Sequence, residues 1–171
     1  MIKRILLTLL VLIGSLLHIS CDENGGRLNS LTSTVEKIDA RMEEIILAIK
    51  NKDKEALKSL FSTKALDEAS AFDSELDSLF DFIQGNIESW ERDNWATDED
   101  RDYGKKTLMI RFPFTITTDE DVYELFVIDY NTDTINPNNQ GIYMLEVSKL
   151  SYEGTYLGWQ DRMRAGICIL T

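Results

Sequence analysis

From Ser33 onward, apolar residues return with the period of a helix. Val35, Ile38, Met42, Ile45, Ile46 and Ile49 fall at i, i+3, i+7, i+10, i+11 and i+14, while Glu36, Lys37, Asp39, Arg41, Glu43 and Glu44 occupy the other face. The spacing predicts an amphipathic helix lying on a core, with Ser33 and Glu36 as a capping box at its start. After the polar break Asn51-Lys52-Asp53, a second short helix is expected with Ala56, Leu57, Leu60 and Phe61 inward and Asp53 as its N-cap. A third carries Leu66, Ala69, Phe72, Leu76, Leu79, Phe80 and Ile83, with Gly85 placed to end it. The period then changes to two. In Thr107–Thr118, Leu108, Ile110, Phe112, Phe114 and Ile116 share one face, and Thr107, Arg111, Thr115 and Thr117 the other. Val122–Tyr130 is apolar on both faces, as suits a covered central strand, and Gly141–Leu150 reads as a third strand. Asp119-Glu120-Asp121 makes a tight turn and Asn131–Gln140 a longer loop; Asn86–Trp95 and Gly166–Thr171 can add strands. Helices first and strands after predict an α+β fold, with N-terminal helices packed on a curved antiparallel sheet.

The chain opens differently. Lys3-Arg4, the apolar run Ile5–Leu17 and a short segment ending at Ser20 make a secretory signal. The run gives about 20 Å of helix, short of the roughly 30 Å hydrocarbon core, so a permanent transmembrane anchor is disfavoured. Leu17-His18-Ile19-Ser20-Cys21 resembles a bacterial lipobox, although His18 stands where a branched aliphatic residue is usual. That resemblance implies a diacylglyceryl group on Cys21 and cleavage before it; a plain secreted product and an uncleaved anchor are the alternatives. The expected organisation is a signal peptide over 1–20, a flexible tether over 21–30 rich in Gly and charge, and one domain over 31–171. The product would be exported and held by its lipid on the extracytoplasmic face of the cell membrane.

Charge and composition then exclude several chemistries. Without Lys3 and Arg4 the chain carries 16 basic and 30 acidic residues, a net −14, which repels phosphate backbones and argues against nucleic acid as a partner. The only histidine, His18, falls in the signal, so His-based nucleophile systems and His-containing zinc sites are excluded from the mature part. Cys21 and Cys168 are the only thiols. Cys168, flanked by Ile167 and Ile169, reads as a small buried residue. The acidic stretch Asp93–Asp102 alternates Asp98, Asp100 and Asp102 like the opening of a calcium loop, but Tyr103 stands where glycine is needed and Met109 where the bidentate glutamate belongs. Asp129, Asn131 and Asp133 fail the same test, with Thr134 and Gln140 in those two positions. A solvated acidic hairpin or loop is the reading for the first stretch, and neither metal nor cofactor is expected. Trp90, Trp95 and Trp159 could line an apolar pocket, with core packing the simpler role.

The layout, together with the phrase Ile49 to Ser62 (IKNKDKEALKSLFS), resembles the cone-shaped fold of nuclear transport factor 2 and ketosteroid isomerase. Asp129-Tyr130, Asp133-Thr134, Asn136-Pro137 and Gly141-Ile142 are similar to a loop region of uncharacterised bacterial lipoproteins of that superfamily. The resemblance implies a pocket between helices and sheet, where enzymes of the fold place an acid–base residue and a Tyr or protonated acid that holds an enolate. Here the candidates are Asp129 with Tyr123, Tyr130 or Tyr143. Tyr123 and Asp129 share a strand but stand roughly 20 Å apart, too far to cooperate. The candidate pocket is therefore Asp129, Tyr143 and Trp159, with no catalytic residue assigned. A non-catalytic binding module is the first expectation, for a small apolar ligand or a basic protein. An isomerase or hydro-lyase acting on a small apolar substrate, and a toxin-neutralising immunity-type lipoprotein, are the alternatives.

Overall fold

In the computed structural model, residues 23–154 and 162–171 are described, with side chains from residue 32. Two compact units divide the chain, Met1–Val35 and Glu36–Thr171. In the first, the backbone is helical from Glu23 on. This is the start of α1 (Glu23–Asn51), so Ser33 lies inside the helix and caps nothing at its end. Once a helix is nucleated each added residue gains a hydrogen bond, which lets it run on through a weak sequence.

In the second unit Ile38, Met42, Ile45, Ile46 and Ile49 of α1 are buried, as their period requires. Asp53 caps α2 (Lys54–Ser59) by accepting from the Ala56 N–H at 2.9 Å. Leu57 and Phe61 are buried, whereas Ala56 is exposed. The single third helix expected from the sequence is two. α3 (Thr63–Glu68) is capped by the Ser62 hydroxyl and ends at Ala69, whose backbone is extended. α4 (Phe72–Phe82) follows after the break. The break lets Phe72 meet Phe61 edge-on at 4.8 Å and brings Ala69 against Gly166. α4 ends at Phe82, before Gly85.

The strands are β1 (Ile87–Arg92), β2 (Ala96–Asp102), β3 (Lys105–Thr118), β4 (Val122–Asp133), β5 (Gly141–Lys149) and β6 (Gly166–Leu170). They form one sheet in the order β1-β3-β4-β5-β6, with β2 also paired to β3. The sheet is mixed and not wholly antiparallel, because β6 runs parallel to β5. A connection of more than a dozen residues separates the two, enough for a parallel return. β1 and β2 share one edge of β3 and part company opposite Pro113, whose carbonyl accepts from Asp93 N–H. Carbonyl and amide of one strand residue face the same neighbour, so the ladder lacks a donor where the edge strand breaks.

The helices cover one face of the sheet. There Ile110, Phe112, Phe114, Ile116, Leu125, Val127, Leu145, Val147 and Ile167 join the helical residues in one core. The buried Tyr123 is part of it, its hydroxyl accepting from Gln84 N–H at 2.9 Å. A smaller cluster of Met109, Ile128 and Met144 lies apart, with Phe126, Tyr130 and Tyr143 beside it. Their register places Met109, Ile128 and Met144 on the face away from the helices.

Past β4, Asp133 organises the loop to β5. Its Oδ1 accepts from Ile135 N–H and Asn136 N–H at 2.9 and 2.7 Å, and its Oδ2 from Asn139 Nδ2 at 2.7 Å. Burial alone would push the carboxyl up; the bonds from Asn136, Asn139 and Ile135, with the Lys64 charge, outweigh it and hold it below its usual range. Asp133→Ala should cost about 2–3 kcal/mol at neutral pH, read as a drop in the urea midpoint. A depressed folded pKa gives stability that is present above the unfolded value and is lost as pH falls through the folded one, so the penalty should shrink in acid. A variant equally weak at pH 7 and pH 3 would refute this assignment.

Candidate functional site

Asp129 faces the helices. It pairs across the sheet with Ile110 on β3 and Ile142 on β5, and the residue is 2% exposed. A bulge on each side sets this position: Asn131 is extra against β3, and Tyr143 is extra against β4. Arg41 reaches down from α1, its Nε donating to Asp129 Oδ2 at 3.1 Å and its Nη1 to Glu44 Oε2 at 2.8 Å. The other carboxylate oxygen, Oδ1, is buried and accepts no hydrogen bond. Burial pushes the Asp129 carboxyl up; the Arg41 charge and hydrogen bond pull the other way without cancelling it, and Glu44 adds to the rise.

Tyr143 is next to Asp129's partner in the ladder but is turned elsewhere. Its ring meets Tyr130 edge-on at 6.2 Å, Lys64 lies over it at 5.7 Å, and its hydroxyl donates to Glu68 Oε2 at 2.8 Å. Burial first, and the Glu68 carboxylate second, push its hydroxyl up to about 12, so it stays protonated. The structure thus brings Asp129 and Tyr143 onto adjacent strands and gives each a different partner. Trp159 and Cys21 lie outside the described residues. Trp90 is partly exposed on β1, and Trp95 packs partly against the core.

The far face of the sheet carries what the sequence concealed. Asn94, Trp95, Ala96, Arg111, Pro113 and Phe126 line a surface depression of about 340 Å³. The Arg162 guanidinium lies 4.4 Å over the Phe126 ring and pairs with the buried Glu146. Arg111, itself buried, reaches Asp98 at 2.9 Å. Cys168 lies half-buried beside Arg164, 3.7 Å away, a neighbour the sequence did not suggest; burial still pushes its thiol up, which keeps it a poor nucleophile.

The acidic stretch is a β-hairpin. β2 pairs in register with β3 from Ala96↔Arg111 to Asp102↔Lys105, and Tyr103 (φ 44°) with Gly104 (φ 80°) makes the two-residue turn, both in the left-handed region that such turns require. Every residue of β2 is exposed. Asp98 and Asp100, with Thr107, Met109 and Tyr130, border a second depression of about 430 Å³. Among the described residues, no three His, Cys, Asp or Glu side chains gather as a metal site, and no helix is long and apolar enough to cross a membrane.

A family model for a domain of unknown function, DUF5104, matches residues 44–151, more than half of the chain. The chain belongs to this family. The DUF5104 match takes in both depressions, Asp129 and Tyr143, and stops short of Arg41, Arg162 and β6. No curated protein matches the chain.

Proposed function

We propose that this DUF5104 protein is a lipid-anchored extracytoplasmic binding module and not an enzyme. The observation that carries the non-catalytic reading is the separate commitment of Asp129 to Arg41 and of Tyr143 to Glu68. An isomerase or hydro-lyase needs its base at a substrate C–H and its acid at an oxygen of the same substrate, within one pocket, and these two groups are turned to different protein partners. The order of helices and strands, with the Ile49–Ser62 phrase, supports a nuclear-transport-factor-2-like domain, a fold used for binding as well as catalysis. Support for the anchor is the apolar signal ending at Ser20 before Cys21, since two or more acyl chains hold a soluble domain stably on a bilayer. The acidic balance favours a basic partner and disfavours nucleic acid.

The test is the intact mass of the membrane-fraction protein beside its Cys21→Ala variant. The expected mass is that of residues 21–171 plus a diacylglyceryl group, lost in the variant. Unmodified soluble protein from the parent sequence would overturn the anchor.

A further inference from the structure

β2 is an edge strand with one side open. Among the described residues it pairs with β3 alone, all seven of its residues are exposed, and its far side carries no strand. A two-residue hairpin closes on a hydrogen-bonded pair, here Asp102 and Lys105, and the pattern alternates from there. Ala96, Asp98 and Asp100 therefore turn their backbone groups toward β3, while Thr97, Glu99 and Arg101 present theirs outward. The bond from Asp93 N–H to the Pro113 carbonyl fits this alternation, since Pro113 stands an even number of residues from Lys105 and also faces the edge. A row of outward N–H and C=O groups is a template for another strand.

Side chains restrict what can add. On the sheet's far face the edge shows Asp98 and Asp100 beside Tyr130 and Met109; on the helix face it shows Thr97, Glu99 and Arg101. On the far face a second copy of this edge would bring Asp98 and Asp100 against like carboxylates, which is unfavourable at directly opposed positions. Asp98 is already paired with Arg111, and Glu99 with Arg101 and Lys106; a basic strand joins the first of these pairs on the far face, where a Lys or Arg beside Asp100 also reaches the Tyr130 ring.

We propose that the open edge of β2 docks an extended segment of a partner protein bearing Lys or Arg at alternate positions, which adds to the sheet as a further strand. This rests on the binding-module reading and gives that module its partner class. The occupant is a protein segment because backbone donors and acceptors form the edge, and the acidic rim selects a basic one.

The probe is a heptapeptide alternating threonine and lysine, titrated into the full chain in non-ionic detergent. Controls are its glutamate counterpart and a lysine version N-methylated at alternate residues, equal in charge but missing donors. Binding of the lysine peptide, weakened about tenfold by N-methylation and several-fold by Asp100→Asn, which leaves the Asp98–Arg111 pair intact, is expected. Slowed amide exchange at Thr97, Glu99 and Arg101 should accompany it. Equal affinity for the N-methylated peptide would mean charge attraction without strand addition and would overturn the proposal. So would an absence of binding, or protection at the β2 edge from self-association of the chain. A failed titration with the lipidated mass intact removes the docking edge and leaves the anchor standing.

Discussion

Arg41→Met is expected to lower stability by about 3 kcal/mol at neutral pH, because it leaves the Asp129 carboxylate buried without its cation. For a domain of this size that is a fall in Tm of roughly 10 °C. The double variant Arg41→Met/Asp129→Val should recover most of the loss, since removing both members of a buried pair spares the cost of an orphan charge. The pH dependence follows from the raised carboxyl. A folded pKa above the unfolded 3.8 means that the folded state keeps a proton where the unfolded chain has lost it, so this group's contribution falls as pH rises through that window. Without Arg41, which pulls the value down, the window extends upward. The Arg41→Met deficit should therefore be full above the window and shrink as pH approaches 4. Urea midpoints at several pH values check this. A deficit constant with pH and unrelieved in the double variant would show that Arg41 contributes through its packed stem alone.

Gly141→Ala should cost about as much, roughly 3 kcal/mol, for a steric reason. Gly141 has φ +119°, and a Cβ there would come within 2.9 Å of the Leu60 carbonyl oxygen and 2.9 Å of the Ser62 nitrogen. Both are backbone atoms fixed by bonds to Ile142: Ser62 N–H to the Ile142 carbonyl and Ile142 N–H to the Leu60 carbonyl. Relief of the clash would break the seam that ties the α2–α3 link to β5. Gly104→Ala is the control. Its φ is also positive, at +80°, but a Cβ there meets nothing within 4 Å, so only about 1 kcal/mol is expected. Equal losses in thermal unfolding would mean that backbone conformation, and not crowding, sets the cost at both sites.

The strands with an apolar face were legible because period two leaves no other way to bury Leu108 to Ile116. β2 was legible only as part of a solvated acidic hairpin or loop, since Ala96–Asp102 has scarcely an apolar residue to count; its strand is set by β3 and by the turn at Tyr103-Gly104. The break at Ala69–Ala71 was hidden for the opposite reason: the apolar spacing runs through it, and only packing against Gly166 and Phe61 bends the chain there. Arg41 was placed on the wet face of α1 although it stands three residues after Ile38 and four before Ile45, both buried. That position was the available signal for an inward charge. The separation of Asp129 from Tyr143 depends on the bulge at Tyr143, which pairs Asp129 with Ile142 instead, and an extra residue in one strand leaves no trace in a single sequence.

The gap opposite Pro113 has a dynamic consequence. Because β1 and β2 join β3 through separate ladders, β2 and its turn can fray open without unzipping β1. The two halves of this border would then exchange their amide hydrogens at independent rates, the acidic half faster, while the centre of the sheet stays closed.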